Sequence, residues 1–419
     1  MKPYAAYKDS GIEWLGKIPH NRETIKLKYI MQNFDSRRIP LSSEERAGMQ
    51  GDYPYYGSNG IVDQVNDYLF DGEYILLGED GAPFFEMYKD VAFLVTGKFW
   101  VNNHAHILKA SLNHNQRFLT YLLNCVDYRK YITGSTRDKL TQDDMKSIIL
   151  SIAKLDEQKI IAAYLDHKTA QIDDLIAKKE RMIELLKEER FAIINQAVTK
   201  GINPDVEYKD SGIEWLGKIP KHWELKRLKY IFNFNTGWTP PTGNSEYFTG
   251  KNKWVNIGDM NKKFIYNTQN YISDRAIQES RIKLSPRFSL MYSFKLTVGK
   301  VAFAGCDLYT NEAIISILPN DKDNLQFYYY LLPEILTYNS RENIYGAKLL
   351  NQGLIKNSYL ILPPPEEQKI IVAFLDRETA KIDTLIAKQG GLIEALKEYR
   401  TTLISEVVTG KIDVREYAV

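Results

Sequence analysis

The chain has 419 residues, 55 Lys+Arg against 53 Asp+Glu and 44% hydrophobic content, which fits two or three folded domains and excludes a disordered or collagenous chain. Two cysteines, Cys125 and Cys306, cannot build a disulfide framework or a zinc site by themselves, and no stretch approaches a membrane span, so the cytoplasm is the expected location. A net charge of +2 gives no sign of a strongly basic nucleic-acid binder; what stands out is 28 Tyr.

The first block, Tyr7-Lys-Asp-Ser-Gly-Ile-Glu-Trp-Leu-Gly-Lys-Ile-Pro19, recurs unchanged as Tyr208 to Pro220, and Leu27-Lys-Tyr-Ile30 returns as Leu228 to Ile231. A divergent stretch follows, to about residue 155. It mixes β-type runs such as Tyr74–Leu77 and Val91–Val95 with Gly57-Ser-Asn-Gly60 and Gly78-Glu-Asp-Gly81 turns, and a helical portion is expected over Gln116–Tyr131. Arg117, Arg129, Lys130, Arg137 and Lys139, interleaved with Tyr121, Tyr128 and Tyr131, form a basic-aromatic cluster in an otherwise mildly acidic stretch.

From Ile161 the apolar positions 165, 172, 175, 176, 183, 186, 193, 194 and 197 step by threes and fours, with no internal Pro or Gly. Asp156 to Val198 therefore reads as one helix of about 65 Å. Such a helix needs a partner of equal length. The only candidate is its own repeat: Glu157-Gln-Lys-Ile-Ile161 returns as Glu367 to Ile371, and Val198-Thr199 as Val408-Thr409. The two are expected to pack as an antiparallel coiled coil. Pro363-Pro-Pro365 opens the second copy, and Gly390-Gly391 is expected to kink or loosen it.

Between the repeats lies a second divergent stretch, distinctly basic and unlike the first. Trp254–Ile257, Leu296–Ala304 and Ala313–Leu318 read as strands and Leu325–Asn339 as a helix. Its cations include Lys251, Lys253, Lys262, Lys263, Lys283, Arg287, Lys295, Lys300 and Lys348. The plan is a shared framework presenting two different readers. The fold class is α+β: two globular domains joined by two long antiparallel helices, with an internal pseudo-two-fold repeat.

Catalytic signatures are missing. No glycine-rich nucleotide fingerprint, phosphate-cradling loop or Asn/Asp-Pro-Pro-Tyr/Phe motif occurs, and the six histidines lack zincin spacing. Pro204-Asp-Val-Glu-Tyr-Lys209 imitates a nuclease set, but its residues are contiguous in a linker rather than split between strands.

The repeated Tyr-Lys-Asp-Ser-Gly-Ile-Glu-Trp block resembles the specificity subunit of Type I restriction–modification enzymes. So do Lys221-His-Trp-Glu224, Gly134-Ser-Thr136 with Leu140 to Asp144, Pro363 to Gln368, Thr236-Gly-Trp-Thr-Pro240 and Tyr56 to Gly60. Asn21-Arg22, in place of His222-Trp223, and Gly390-Gly391 depart from the pattern. The resemblance implies framework segments at 1–30 and 201–231, target recognition domains at 31–155 and 232–365, spacer helices at 156–200 and 366–410, and a tail at 411–419. It implies that each domain reads half of a bipartite double-stranded DNA target, that the helices set the gap, and that two methyltransferase subunits dock on the repeats. Restriction/translocase subunits complete the complex, no membrane is involved, and S-adenosylmethionine, ATP and Mg²⁺ belong to the partners, leaving this chain non-catalytic and without cofactor or metal.

The residues expected on DNA are Ser58, Asn59, Ser135, Thr136, Arg137 and Lys139 in the first domain. In the second they are Thr236, Trp238, Thr239, Lys295, Lys300, Lys348 and Asn351. Trp14, Trp215, Glu13 and Glu214, in the duplicated block, are expected at the protein partners. Two other readings use the same sequence: a stand-alone bipartite DNA-binding regulator without enzyme partners, and a coiled-coil tether with no nucleic-acid role.

Overall fold

A computed structural model describes residues 2–86, 88–133, 138–295, 297–320, 324–339, 341–342 and 348–417. Two helices dominate the element order: Leu155–Lys200, 46 residues, and Pro365–Val408, 44 residues. Asp156 and Glu157 in one first turn, and Glu366 and Glu367 in the other, place negative charge at the positive end of each helix dipole. Pro365 opens the second helix, where its missing N–H costs nothing. Gly201 (φ 80°) and Gly410 (φ 84°) follow the helix ends in the left-handed conformation that glycine adopts without a Cβ penalty. At Gly390-Gly391, where a kink or loosening is expected, the helix runs on without interruption. Two glycines cost about 2 kcal/mol of helix propensity, a small term beside the apolar burial along the rest of the helix.

The chain divides into two compact units, Met1–Met182 with Lys388–Val419, and Ile183–Ala387. In the first unit, Ile161, Leu165 and Ile172 share a core with Leu403, Ile404, Val407 and Val408. Asp173 pairs with Arg400 (2.9 Å) and Lys179 Nζ donates to Gln389 Oε1 (3.1 Å), an antiparallel register. In the second unit, Ile194, Ala197 and Val198 pack with Ile371, Val372 and Leu375, and Arg190 pairs with Asp383 (3.0 Å). The two ion pairs are repeat equivalents of each other.

The first unit carries a six-stranded sheet in the spatial order Met31–Asn33, Ala105–Ala110, Phe70–Gly78, Ala92–Val101, Tyr53–Gly57 and Gly60–Val65. The helix behind it, Gln116–Leu123, is shorter than the 116–131 expected. Asn124 ends it, its side chain taken up by the Val91 and Ala92 N–H groups, and a separate turn forms at Tyr128–Lys130.

The second unit has a five-stranded sheet, in the order Phe234–Thr236, Ile314–Ile317, Leu290–Ser293, Val301–Ala304 and Phe264–Ile265. A three-stranded sheet of Asn270–Ile272, Asn252–Val255 and Tyr309–Thr310 accompanies it. Only Val301–Ala304 of the strand expected over 296–304 forms. The Ser293 hydroxyl accepts from Lys300 N–H and donates to the Thr297 carbonyl, so the preceding residues make a turn instead.

The two divergent stretches, unlike in sequence, share a framework. Tyr53–Gly57 runs parallel to Ala92–Val101 at Tyr55↔Trp100, and Asn252–Val255 runs parallel to Tyr309–Thr310 at Trp254↔Tyr309. After each pairing an asparagine closes the turn: Asn102 Oδ1 accepts from His104 N–H (2.8 Å), and Asn311 Oδ1 from Ala313 N–H (3.1 Å). Each domain is also tied to its long helix in the same way. Tyr121 donates to Asp166 (2.7 Å) and Tyr330 to Asp376 (2.5 Å), the two aspartates being repeat equivalents.

Candidate nucleic-acid interface

In the first unit three of the residues expected on DNA converge. The Gly57–Gly60 turn places exposed Asn59 with its Nδ2 3.4 Å from the Gly81 carbonyl, while Ser58 is buried beneath it. The loop at Glu79–Gly81 bonds in turn to the segment carrying Lys139: Gly81 N–H reaches the Asp138 carbonyl (3.0 Å) and Leu140 N–H the Glu79 carbonyl (2.8 Å). Ser135, Thr136 and Arg137 lie outside the described residues.

A buried charge network holds this corner. His106 bridges Asp35 (Nδ1, 2.6 Å) and the Leu140 carbonyl (Nε2, 2.9 Å). Arg38 Nη1 donates to Glu79 (2.6 Å) and to the Ala105 carbonyl (2.8 Å). Burial pushes the Asp35 carboxyl up, but hydrogen bonds from His106 and Ile107 N–H and the Arg38 charge outweigh it and hold the group below its ordinary range. Asp35, Glu79 and His106 have the donor types and proximity of a metal site. The Arg38 guanidinium already supplies the positive charge that Glu79 requires, so the group reads as a structural anchor for the loop.

In the second unit Thr236, Trp238 and Thr239 hug the turn at Thr310–Glu312. Trp238 N–H donates to the Thr310 carbonyl (2.9 Å), Thr239 Oγ1 to Glu312, and Trp254 Nε1 to the Trp238 carbonyl (3.0 Å). A Cβ on Gly237 would fall on the Thr310 and Asn311 carbonyl oxygens, so only glycine permits this approach. Lys300 Nζ donates to Asn261 Oδ1 (3.0 Å), and exposed Lys295 lies 5.9 Å from the Phe294 ring. Asn351 is used locally: its Oδ1 caps the helix Gln352–Asn357 by accepting from Leu354 N–H (2.8 Å). The Lys348 side chain lies outside the described residues.

Two expectations change. Three cations of the basic-aromatic cluster have partners within the chain: Arg117 pairs with Asp166 (3.2 Å), Arg129 with Asp127 (2.5 Å) and Lys130 with Glu13 (2.6 Å), and Tyr128 is buried. Trp14 and Trp215, expected to project as protein contacts, are half-buried. Trp14 packs on the first unit's core, and Trp215 stacks on Tyr338 with ring centres 4.7 Å apart. Glu13 and Glu214 remain on the surface.

Residues 19–185 and 220–395 each match the Type I restriction modification DNA specificity domain. The chain belongs to that family. The match spans both divergent stretches, in keeping with the strand-and-asparagine framework they share. Among relatives of this specificity-domain protein, the putative type I restriction enzyme specificity subunit S.HindORF215P of Haemophilus influenzae is 28% identical, covering 82% of this chain and 84% of the relative. The putative MjaX specificity subunit of Methanocaldococcus jannaschii is 24% identical, covering 96% of each. In fold, the chain is similar to one in a structure describing complex assembly and conformational transition of the type I R-M system. The TM-score there is 0.70 at 13% identity, covering 94% of this chain and 99% of that one. The HsdS subunit from Thermoanaerobacter tengcongensis gives 0.51 at 14% identity, covering 96% and 100%. No helix among the described residues is long and apolar enough to cross a membrane.

Proposed function

We propose that this chain is the DNA-reading subunit of a Type I restriction–modification enzyme. The recognition domains, over 31–155 and 232–365, each read one half of a bipartite duplex target, and the paired helices set the unread gap. One observation carries this reading: the block Tyr7–Pro19 repeats unchanged and the helices keep their apolar positions, while the loops they support, around Asn59 and Lys139 in one unit and Trp238 and Thr239 in the other, differ. A common scaffold with unlike reading loops fits a target whose halves differ in sequence.

The repeats offer equivalent docking positions to two identical methyltransferase subunits. Trp14 and Trp215 support those positions from within, and Glu13 and Glu214 face the partners. Methyl transfer, with S-adenosylmethionine, and restriction, with ATP and Mg²⁺, belong to the other subunits, and this chain contributes recognition only. On DNA, Ser58, Asn59, Ser135, Thr136, Arg137 and Lys139 serve the first half-site. Thr236, Trp238, Thr239, Lys295, Lys300, Lys348 and Asn351 serve the second, Asn351 through the helix it caps.

The test is to co-express the chain with cognate methyltransferase subunits and map the methylated adenines. Exchanging residues 31–155 for the corresponding stretch of another specificity subunit changes one half of the methylated motif and leaves the other half and the gap intact. A change in both halves, or failure to co-purify with a methyltransferase subunit, refutes the proposal.

A further inference from the structure

Backbone strain in this protein is concentrated in one place. Among the described residues only two non-glycine residues have positive φ, Arg281 (53°) and Phe288 (70°), and they bracket a single eight-residue segment, Arg-Ile-Lys-Leu-Ser-Pro-Arg-Phe. Arg281 is the left-handed cap that ends the helix Asp274–Ser280, but Phe288 is a true outlier, because Cβ crowds the backbone there and such strain persists only where the surroundings enforce it.

The surroundings do enforce it. Ser285 exchanges two backbone hydrogen bonds with Leu308 (2.8 and 3.1 Å), and its hydroxyl donates to Ser316 (2.7 Å). Phe288 N–H donates to the Ala304 carbonyl (2.7 Å) and Arg287 N–H to Asp307 (2.8 Å). Asn235 Nδ2, beside Thr236, donates to the Leu284 carbonyl (2.7 Å). The result is a rigid strap pinned to the five-stranded sheet.

Its outward face is cationic and aromatic. Arg281, Lys283 and Arg287 are exposed, the segment contains no acidic residue, and Phe288 is 50% exposed with the Arg287 guanidinium 4.5 Å from its ring centre. A second aromatic sits close by: Tyr266, 61% exposed, lies against Gly305, where a Cβ would stand 2.6 Å from the ring. Gly305 N–H donates to the Ile265 carbonyl (2.8 Å) right after the Ala304 that binds Phe288, so one glycine keeps the Tyr266 ring and the strap close. Half of the Phe288 surface faces water, so burial repays the strain only in part.

We propose that residues 281–288 are a DNA-contact strap of the second recognition domain. Arg281, Lys283 and Arg287 take phosphates of the duplex backbone, and Phe288 lies against a deoxyribose or a thymine methyl group. This rests on the DNA-reading function proposed above. Three exposed cations against the neighbouring carboxylate of Asp307, which Arg287 N–H already occupies, favour a polyanion over a protein surface. A pre-shaped aromatic adds contact at little conformational cost, since the strap is already fixed before binding.

The test uses the full chain, a mixed-sequence duplex and a salt series, with thermal unfolding measured in parallel. Phe288→Gly removes the ring and relieves the strain, because glycine adopts positive φ freely. It is expected to leave the unfolding midpoint unchanged or raised while weakening duplex binding by about threefold to tenfold, the worth of burying the exposed half of a phenylalanine ring. Phe288→Asn, which also tolerates positive φ, is expected to do the same. Arg287→Ala combined with Lys283→Ala should reduce the slope of log affinity against log salt by roughly 2, near one unit per lost phosphate contact. Parent and variants binding alike would overturn the strap and leave the DNA-reading function standing. A parent with no salt-dependent duplex binding would overturn both. Variants that bind duplex normally but no longer co-purify with a methyltransferase subunit would show a protein contact and overturn the proposal.

Discussion

The sharpest difference between the two framework copies is Arg22, which stands where the second copy has Trp223. Arg22 is fully buried. Its Nε and Nη2 donate to Glu157 Oε1 (3.2 and 3.0 Å), Nη1 to the Val408 carbonyl (2.6 Å), and Nη2 also reaches the Tyr4 hydroxyl (3.2 Å). In the second unit the equivalent Glu367 accepts from Trp223 Nε1 (2.9 Å) and lies 2.8 Å from His222 Nε2. One guanidinium thus binds the start of one long helix and the last carbonyl of the other, where the second copy satisfies the same carboxylate with an indole and an imidazole. Arg22→Ala leaves Glu157 buried without its counter-charge, a change costing about 3–5 kcal/mol. If that cost falls on the first unit, amide hydrogen exchange from sub-global opening there accelerates by about two to three and a half orders of magnitude, at 1.4 kcal/mol per tenfold. The second unit should be less affected. Asn21→His with Arg22→Trp, which transplants the second copy's arrangement, should recover more than half of the loss. Exchange in the first unit unchanged within about 1 kcal/mol for Arg22→Ala would refute the reasoning, as would a transplant no better than alanine.

Gly390→Ala and Gly391→Ala each add a Cβ into open space in the middle of a helix, so each should stabilise the chain by about 1 kcal/mol in urea unfolding. Destabilisation by either would show that a local distortion is needed there. Glu334 is buried on the helix Leu325–Leu336, and burial raises its carboxyl from 4.5 to about 7. The folded state therefore favours the protonated form, and this contribution, full below pH 4.5, is lost as pH rises to about 7. Glu334→Gln should flatten that fall of roughly 2–3 kcal/mol, and an unchanged pH profile of unfolding would count against it. Tyr121→Phe and Tyr330→Phe each remove a hydrogen bond to an aspartate on a long helix. Each should cost about 1–2 kcal/mol, read as faster exchange on the adjoining helix 116–123 or 325–336.

The long helices were legible in the sequence because a period of three to four apolar positions sustained over more than forty residues has no other stable solution. The common framework of the two recognition domains was not legible. Its markers in each domain are a parallel strand contact, carried by backbone hydrogen bonds that tolerate almost any side chain, and a single asparagine turn, too short a signal to stand out. The pairings of Arg117 with Asp166 and of Lys130 with Glu13 were not legible, because those partners are remote in sequence and become neighbours only on folding. The stacking of Trp215 on Tyr338 was hidden for the same reason, as the two lie far apart along the chain. The strap at 281–288 gave no signal beyond its charge, since a strained φ has no motif and phenylalanine is not a residue that announces one.

The register of the paired helices has a consequence for the chain's origin and plasticity. The first helix carries both Asp173 and Arg190, the second both Asp383 and Arg400, and each ion pair joins the aspartate of one to the arginine of the other. Either helix is thus complementary to a reversed copy of itself: Asp173 of one molecule could meet Arg190 of another in the same alignment. A half-length chain bearing only one recognition domain has, in its own helix, the lock and the key for a symmetric dimer. The tandem chain supplies both helices of that pairing itself, and so can carry two unlike domains on one polypeptide.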